Sequence, residues 1–182
     1  MKDFSRACAV FFAFCLIIFS VSGCGIGERR EDCLFFAERG FEALVRYTKE
    51  DFSFSAKIKA SPKGEVARDF VIELTEPSSL CGIRAERIAG EEKISLGELE
   101  FAGEFGFSPL FLADYFEMTS PPTSVALDGE NTVLTHEGED GSIFYVVVGA
   151  DDAPRRITRQ ERGGSDAVFG TVEIEQFTFT AD

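Results

Sequence analysis

The sequence predicts an α+β domain with an antiparallel sheet, an N-terminal helix and a short central helix, and three patterns support this fold class. Residues 52–60 read FSFSAKIKA and alternate apolar with polar positions, as in a strand with one face on the core. Residues 29–49 place apolar residues three and four positions apart, which is typical of a helix with one apolar face. Residues 105–118 concentrate eight apolar side chains around Ser108-Pro109, a typical helix start.

The remaining strands follow from the same alternation. Between the two predicted helices, the strands after residues 52–60 are Phe70–Leu74, closed by Pro77, then Ile83–Arg87 with a mixed pattern, and Ile94–Phe101. After the central helix, the predicted strands are Thr132–Glu137, Ser142–Val148, Arg155–Gln160 and Val168–Thr180. In the last strand, Val172 and Ile174 share one face whereas Phe177 and Phe179 have the opposite parity, so we expect a bulge near Gln176.

The first residues carry the pattern of an export signal. Lys2 and Arg6 precede thirteen uncharged residues, Ala7–Phe19, and small residues follow. The uncharged core is shorter than the ~20 apolar residues of a membrane-spanning helix, which disfavours a transmembrane anchor.

The signal ends in VSGC, which resembles the bacterial lipobox. The resemblance implies transfer of a diacylglyceryl group to the sulfur of Cys24 and cleavage after Gly23. A chance cysteine in an ordinary secretory signal is the alternative. Two or three acyl chains hold a protein stably at a bilayer, whereas one is marginal. We therefore expect a lipoprotein signal at 1–23, a tether at 24–28 and a single domain at 29–182. The domain would be held at the outer side of the bacterial cytoplasmic membrane, facing the periplasm or the extracellular space.

The charge of the mature chain excludes two classes of function. Removal of the signal leaves 159 of the 182 residues, and the net charge changes from −14 to −15 because Lys2, Arg6 and Asp3 leave. A body this acidic is repelled by nucleic acid and by anionic lipid heads. We therefore expect no nucleic-acid binding, and attachment to the membrane through the acyl chains alone.

Candidate catalytic and metal-binding residues are few. His136 is the single histidine, and it lies on a strand approaching a turn, where we expect it to face solvent. The sequence has no Cys-x-x-Cys, no metal-spaced Cys/His cluster and no Gly-rich phosphate loop. The acidic turns at 136–140 and 149–152 do not match the EF-hand spacing. We expect no catalytic residues, no metal and no cofactor, and therefore a protein that is not an enzyme.

Two cysteines remain in the domain beside Cys24. Export permits a disulfide between Cys33 and Cys81. Free cysteine is also a common buried apolar residue, and a domain of this size does not need a covalent bridge. Both alternatives remain open.

The apolar residues offer the clearest candidate for a binding site. The chain has twenty phenylalanines and no tryptophan, and fifteen of the phenylalanines lie in the domain because five leave with the signal. A core rich in phenylalanine is one interpretation. The other is an apolar groove between the sheet and the central helix, suited to an acyl chain. The candidate lining residues of this groove are Phe54, Ile58, Phe70, Ile72, Phe101, Phe107, Leu110, Phe111 and Phe116.

The mature chain also resembles the LolA/LppX-like group of envelope proteins. The residues that carry the likeness are Pro77, Leu80, Gly82, Pro154, Arg155 and Arg156. Size, lipobox and acidity are most similar to the small clostridial lipoproteins, which include a spore-germination lipoprotein. The resemblance implies a curved, unclosed antiparallel sheet (a half-barrel) whose concave side is covered by helices. Members carry or sense lipids and lipoproteins, and some act through protein partners. The arginine expected as the latch of the helical lid in the carrier itself is absent from the pattern.

Two functions of different classes follow from these patterns. The first is an anchored module that binds a lipid or another apolar ligand in its groove. The second is a scaffold or regulatory lipoprotein, for example in envelope or spore-germination processes, that has a filled interior and binds a protein partner.

We expect Cys24→Ala to leave the protein unprocessed or released from membranes, because the acylated sulfur is lost. Intact-mass analysis and detergent phase partitioning of the expressed protein measure both outcomes. Cys15→Ala, within the predicted signal core, is the matched control and should be processed and anchored normally. A Cys24→Ala protein that still fractionated as mature, membrane-held material would contradict the lipoprotein assignment.

Overall fold

The structure, a computed structural model, describes residues 35–64, 68–101, 107–118, 121–160 and 168–180. These residues belong to one compact unit, Leu34–Asp182. They form a four-residue helix α1 (Phe35–Glu38), a 3₁₀ helix (Pro109–Tyr115) and eleven strands. The strands are β1 (Phe41–Lys49), β2 (Phe52–Ala60), β3 (Phe70–Glu76), β4 (Ile83–Ile88), β5 (Glu91–Leu96), β6 (Leu99–Phe101), β7 (Ser124–Asp128), β8 (Asn131–Glu137), β9 (Ile143–Val148), β10 (Pro154–Gln160) and β11 (Val168–Phe179). The predicted signal, Cys24 and Cys33 lie outside the described residues.

The strands form one curved, unclosed antiparallel sheet in the order β6-β5-β4-β3-β2-β1-β11-β10-β9-β8-β7. Sequence neighbours pair as hairpins, and the first strand pairs with the last in the middle of the sheet. β6 and β7 are the two edges, and the 3₁₀ helix lies between them in the chain. The open antiparallel sheet expected from the sequence is therefore present.

One face of the sheet carries the core, and we call it the inward face. It is defined by the buried side chains of Phe41, Ala43, Val45 and Tyr47 in β1 and by the residues in register with them. One buried row crosses five strands in register, formed by Tyr47, Val172, Ile157, Val146 and Leu134. The alternation read from the sequence is thus explained by burial of one face only.

The predicted N-terminal helix over residues 29–49 is wrong in its second half. Helix α1 ends at Glu38, and β1 begins at Phe41. The segment 41–49 has apolar residues at both helical and strand spacing, so the pattern does not discriminate between a helix and a strand. β2 and β11 pair with β1 along most of its length, and this pairing buries Phe41, Ala43, Val45 and Tyr47 together.

The predicted bulge near Gln176 is confirmed. In the β1–β11 ladder, Val45 pairs with Ile174 and Leu44 pairs with Gln176, so Glu175 is the additional residue. The extra residue shifts the parity of β11. As a result, Phe177 lies opposite Ala43 and stacks on Phe41, with ring centroids 5.0 Å apart.

The predicted central helix starts where expected, but it is a 3₁₀ helix. Ser108 caps it, because its Oγ accepts a hydrogen bond from the Leu110 N–H at 3.3 Å. Three residues per turn align side chains at positions i and i+3. Two such rows are buried, namely Pro109, Leu112 and Tyr115 in one and Leu110, Ala113 and Phe116 in the other.

Two strand assignments from the sequence need correction. Residues 94–101, predicted as one strand, belong to two strands, because a turn at Gly97-Glu98 separates β5 from β6. β7 was not predicted at all. Its five residues are half-buried or exposed, so they carry no alternation of buried and exposed positions.

Gly170 in β11 is required by close packing. A Cβ atom there would lie 2.5 Å from the ring and hydroxyl of Tyr47 and 2.8 Å from the hydroxyl of Tyr115. Both tyrosines are buried, and burial raises the pKa of each phenol. The rings therefore have little space to move aside.

We expect Gly170→Ala to lower the free energy of unfolding by about 1–3 kcal/mol, because the added methyl group overpacks the two tyrosines. Thermal or urea denaturation followed by circular dichroism measures the change. Thr178→Ala, at an exposed position of the same strand, is the control and should change stability little. Equal stability of Gly170→Ala and the parent chain would contradict the described packing.

Candidate binding site

Six of the nine residues predicted to line an apolar groove are fully packed. Phe54, Ile58, Phe70 and Ile72 lie on the inward face of β2 and β3, and Leu110 and Phe116 belong to the 3₁₀ helix or its cap. These two sets of side chains occupy the same interior. The 3₁₀ helix contacts β3 and β4 directly. Phe116 lies 5.0 Å from the ring of Phe41, centroid to centroid.

The other three predicted residues lie nearer to solvent. Phe111 is half-buried, and its ring packs edge-on against Tyr47 at 4.9 Å. Phe101 and Phe107 are 41% and 39% exposed. Phe107 contacts the rings of Phe54 and Phe111, each at about 6 Å. The predicted set is therefore divided between a packed interior and a partly exposed margin.

Three further exposed apolar side chains belong to β2, β5 and β6. Phe52 lies 6.0 Å from Phe107, ring centroid to ring centroid. Leu96 and Leu99 are also exposed, and they pair with each other at the β5–β6 edge of the sheet. We refer to Phe52, Leu96, Leu99, Phe101 and Phe107 as the apolar margin.

A cavity of about 610 Å³ lies elsewhere, and its lining is charged. Its walls come from α1, the β2–β3 loop, the end of the 3₁₀ helix, the β8–β9 hairpin and β10. The lining residues are Ala37, Lys63, Arg68, Asp114, Glu117, Met118, His136, Glu137, Gly138, Glu139, Asp140, Phe144 and Arg159. This cavity was not predicted, because its residues are scattered over more than a hundred positions of the chain.

Arg68 joins α1 to the sheet at one wall of the cavity. Its side chain is buried, and its guanidinium donates hydrogen bonds to four backbone carbonyls. The acceptors are Ser61 at 2.6 Å, Phe36 at 3.0 Å, Ala37 at 3.3 Å and Arg39. The guanidinium also lies over the rings of Phe41 and Phe70. Burial lowers the pKa of Arg68 to about 10, and the nearby Glu117 carboxylate opposes that shift.

Two ion pairs flank the cavity. Arg87 donates to Glu117 at 2.5 Å. Arg159 donates to Asp140 and lies over the ring of Phe144. Asp140 also accepts hydrogen bonds from the Ser142 hydroxyl and the Ser142 N–H. These bonds, first that from the hydroxyl, together with Arg159 lower the pKa of Asp140 to about 2.

Asp114 lines the same cavity and interacts electrostatically with members of both pairs. It belongs to the row of the 3₁₀ helix that is not buried, one turn after Phe111. Partial burial raises the pKa of its carboxyl, and Arg159 opposes that shift. Among the described residues, the Asp114 carboxylate makes no hydrogen bond or ion pair.

The position of His136 differs from the one predicted from the sequence. We expected it to face solvent, but it is 1% exposed and forms part of the cavity wall. β8 extends through Glu137, so His136 shares the parity of the buried Leu134. It lies opposite Phe144 in the β8–β9 ladder, on the inward face.

The other sequence-predicted sites are placed as follows. Cys81 is exposed, and it forms no disulfide with another described residue. Cys33 and Cys24 lie outside the described residues, so the disulfide and the acylation remain predictions. Within the described residues, no three His, Cys, Asp or Glu side chains come together as a metal site. No helix in this part of the chain is long and apolar enough to span a membrane.

Comparison with known proteins shows a similarity of fold to several solved structures. No protein-family model matches the chain, and no curated protein matches it. Among solved structures, MucB matches with a TM-score of 0.51 at 14% identity, over 87% of this chain and 60% of that chain. MucB has also been solved in complex with MucA from Pseudomonas aeruginosa.

Two further solved structures are similar at lower scores. An uncharacterized conserved protein from Thermus thermophilus matches at 19% identity and a TM-score of 0.49, over 86% of this chain and 88% of that chain. A LolA superfamily protein from Nitrosomonas europaea matches at 10% identity and a TM-score of 0.41, over 84% of this chain and 94% of that chain. Members of the group that the sequence resembles are thus among the structural neighbours.

Proposed function

We propose that this protein is a lipid-anchored, non-enzymatic envelope lipoprotein whose domain binds a protein partner at its surface. One observation carries the proposal. The side chains of the 3₁₀ helix fill the inward face of the sheet, at the place where the sequence predicted an apolar groove.

The packing of the 3₁₀ helix against the sheet disfavours insertion of an acyl chain between them. Leu112, Tyr115 and Phe116 are fully buried. Tyr115 contacts Tyr47 in β1 and Phe144 in β9, so the helix bridges both halves of the sheet. A buried acyl chain would need to displace these contacts, and truncation of a buried aromatic side chain to alanine typically costs about 3–5 kcal/mol. A filled interior therefore favours recognition at the surface.

Anchoring at the membrane is the second part of the proposal, and it rests on sequence. The positive start, the uncharged core and the cysteine at position 24 support acylation. The acidic body supports it further, because a net charge of −15 would otherwise repel the domain from anionic lipid heads. The outer side of the cytoplasmic membrane is the proposed location.

A precedent for partner binding exists in a protein of similar fold. MucB, whose fold this chain shares in outline, has been solved in complex with MucA(peri). The proposal for this chain rests on the packing and the charge of its domain, not on this precedent.

A second candidate function is binding of an apolar ligand, as the sequence first suggested. The apolar margin favours it, because five large apolar side chains are 39% exposed or more. Exposed apolar patches on soluble domains often mark interaction sites. A ligand there would lie against the margin and Phe111 instead of inside the sheet.

We expect photo-crosslinking in cells to give a discrete protein adduct from at least one surface. Benzoylphenylalanine would be placed in the full chain at Glu139 on the cavity rim, at Leu99 in the apolar margin and at Thr178 on the opposite face. A specific adduct from Glu139 or Leu99, but not from Thr178, supports a docked partner. Identical smears or no adduct from all three positions would count against partner binding.

We expect the domain to carry no lipid, because its interior is filled. Native mass spectrometry of residues 34–182 purified from cells should give the mass of the polypeptide alone. A fluorescent fatty acid should bind weakly or not at all. Stoichiometric lipid that is lost in Phe107→Ser, but retained in the control Thr178→Ser, would favour the second candidate over the first.

A further inference from the structure

We propose that the charged cavity receives one cationic side chain, a lysine or arginine, from the partner protein. This inference rests on the proposed partner binding and adds the chemistry of the contact. The cavity has the volume typical of a ligand site, about 300–1,000 Å³, and residues of the β8–β9 hairpin form part of its wall.

The two arginines of the cavity lining are already engaged. Arg68 directs its guanidinium at backbone carbonyls, and Arg159 is paired with Asp140. Outside the lining, Arg87 is paired with Glu117. Each guanidinium therefore has a protein acceptor. The Nε atoms of Arg87 and Arg159, which make no hydrogen bond among the described residues, are buried, and this argues against an anionic ligand.

The carboxylates of the cavity outnumber its cations. The lining contains five carboxylates and three cationic side chains, Lys63 among them. With Arg87 included, these five carboxylates stand beside four cationic side chains of the described residues. Asp114 is a carboxylate without a hydrogen bond or ion pair among the described residues, and it lines the same cavity as Glu117, Asp140 and Arg159, so a further cation would be stabilised beside it.

The backbone holds Asp114 in place. Ala113 and Tyr115 on either side of it are buried, so the backbone of Asp114 is held in place while its side chain lies on the exposed row of the 3₁₀ helix. A site on such a pre-organised element loses less conformational entropy when it binds.

The apolar walls of the cavity indicate which kind of cation would bind there. Ala37, Met118 and Phe144 line the same cavity and can cover the methylene stem of a long basic side chain. A bare metal ion would not use these walls. In addition, no group of three metal-ligating side chains is present in the described part of the chain. A lysine or arginine side chain fits both features.

The test uses the mature lipoprotein in detergent micelles and three short peptides, acetyl-Gly-X-Gly-amide with X as arginine, lysine or citrulline. Citrulline has nearly the shape of arginine but no charge. Backbone amide shifts in NMR report binding near Asp114 and the β8–β9 hairpin. We expect the arginine and lysine peptides to bind and the citrulline peptide to bind at least tenfold more weakly, as expected for a charged hydrogen bond.

Matched variants locate the contact. Asp114→Asn should weaken binding of the arginine peptide about tenfold, whereas Asp114→Glu should retain most of it. Asp128→Asn, which removes the same charge from the last residue of β7, should have little effect. Equal weakening by Asp114→Asn and Asp128→Asn would overturn the inference, because it would indicate general attraction to an acidic surface. Equal binding of the citrulline and arginine peptides would overturn it as well.

The crosslinking experiment separates this inference from the proposed function. A partner adduct from Glu139 that disappears in Asp114→Asn and persists in Asp128→Asn supports both. An adduct that persists unchanged in Asp114→Asn overturns the cavity contact and leaves partner binding standing. Binding of the arginine peptide without any adduct in cells supports the site and counts against the proposed function.

Discussion

Pairing of the first strand with the last is the interaction on which the rest of the structure depends. Each half of the sheet is a meander of hairpins, and the two halves are joined in the sheet through the β1–β11 ladder. The ion pair Arg46–Glu175 spans 129 positions of the chain. Closing so long a loop costs entropy before any contact forms. An exposed ion pair contributes at most about 1 kcal/mol, so burial of Phe41, Val45 and Ile174 must stabilise the ladder.

The 3₁₀ helix makes the second connection between the halves. It lies between the two edge strands in sequence, and its buried rows pack against β3 and β4 on one side and reach Phe144 on the other. Because three residues make one turn, two rows are buried and the third, with Asp114, is left at the surface. The same helix therefore fills the interior and supplies a carboxylate to the charged cavity. The filled core and the charged cavity are two results of one packing arrangement.

Particular residues show which parts of the fold were predictable. The alternation in residues 52–60 predicted β2 correctly, because one buried face leaves a period of two in the sequence. The parity change before Phe177 predicted the bulge for the same reason. Residues 41–49 were misassigned because they fit helical and strand spacing together, and only the neighbouring strands decide between them. His136 was misplaced because its nearness to the turn suggested exposure, whereas it shares the parity of the buried Leu134 and lies on the inward face.

The sequence by itself determined most of the antiparallel strands and the acidic charge of the domain, since these depend on neighbouring residues and on composition. Only the tertiary structure decided that the side chains of the 3₁₀ helix fill the inward face of the sheet. It also decided that Arg68 bonds the carbonyls of α1 and that Asp114 and Phe144 share one cavity. These features depend on contacts between residues far apart in the chain, and local patterns carry no information about which distant surfaces will meet.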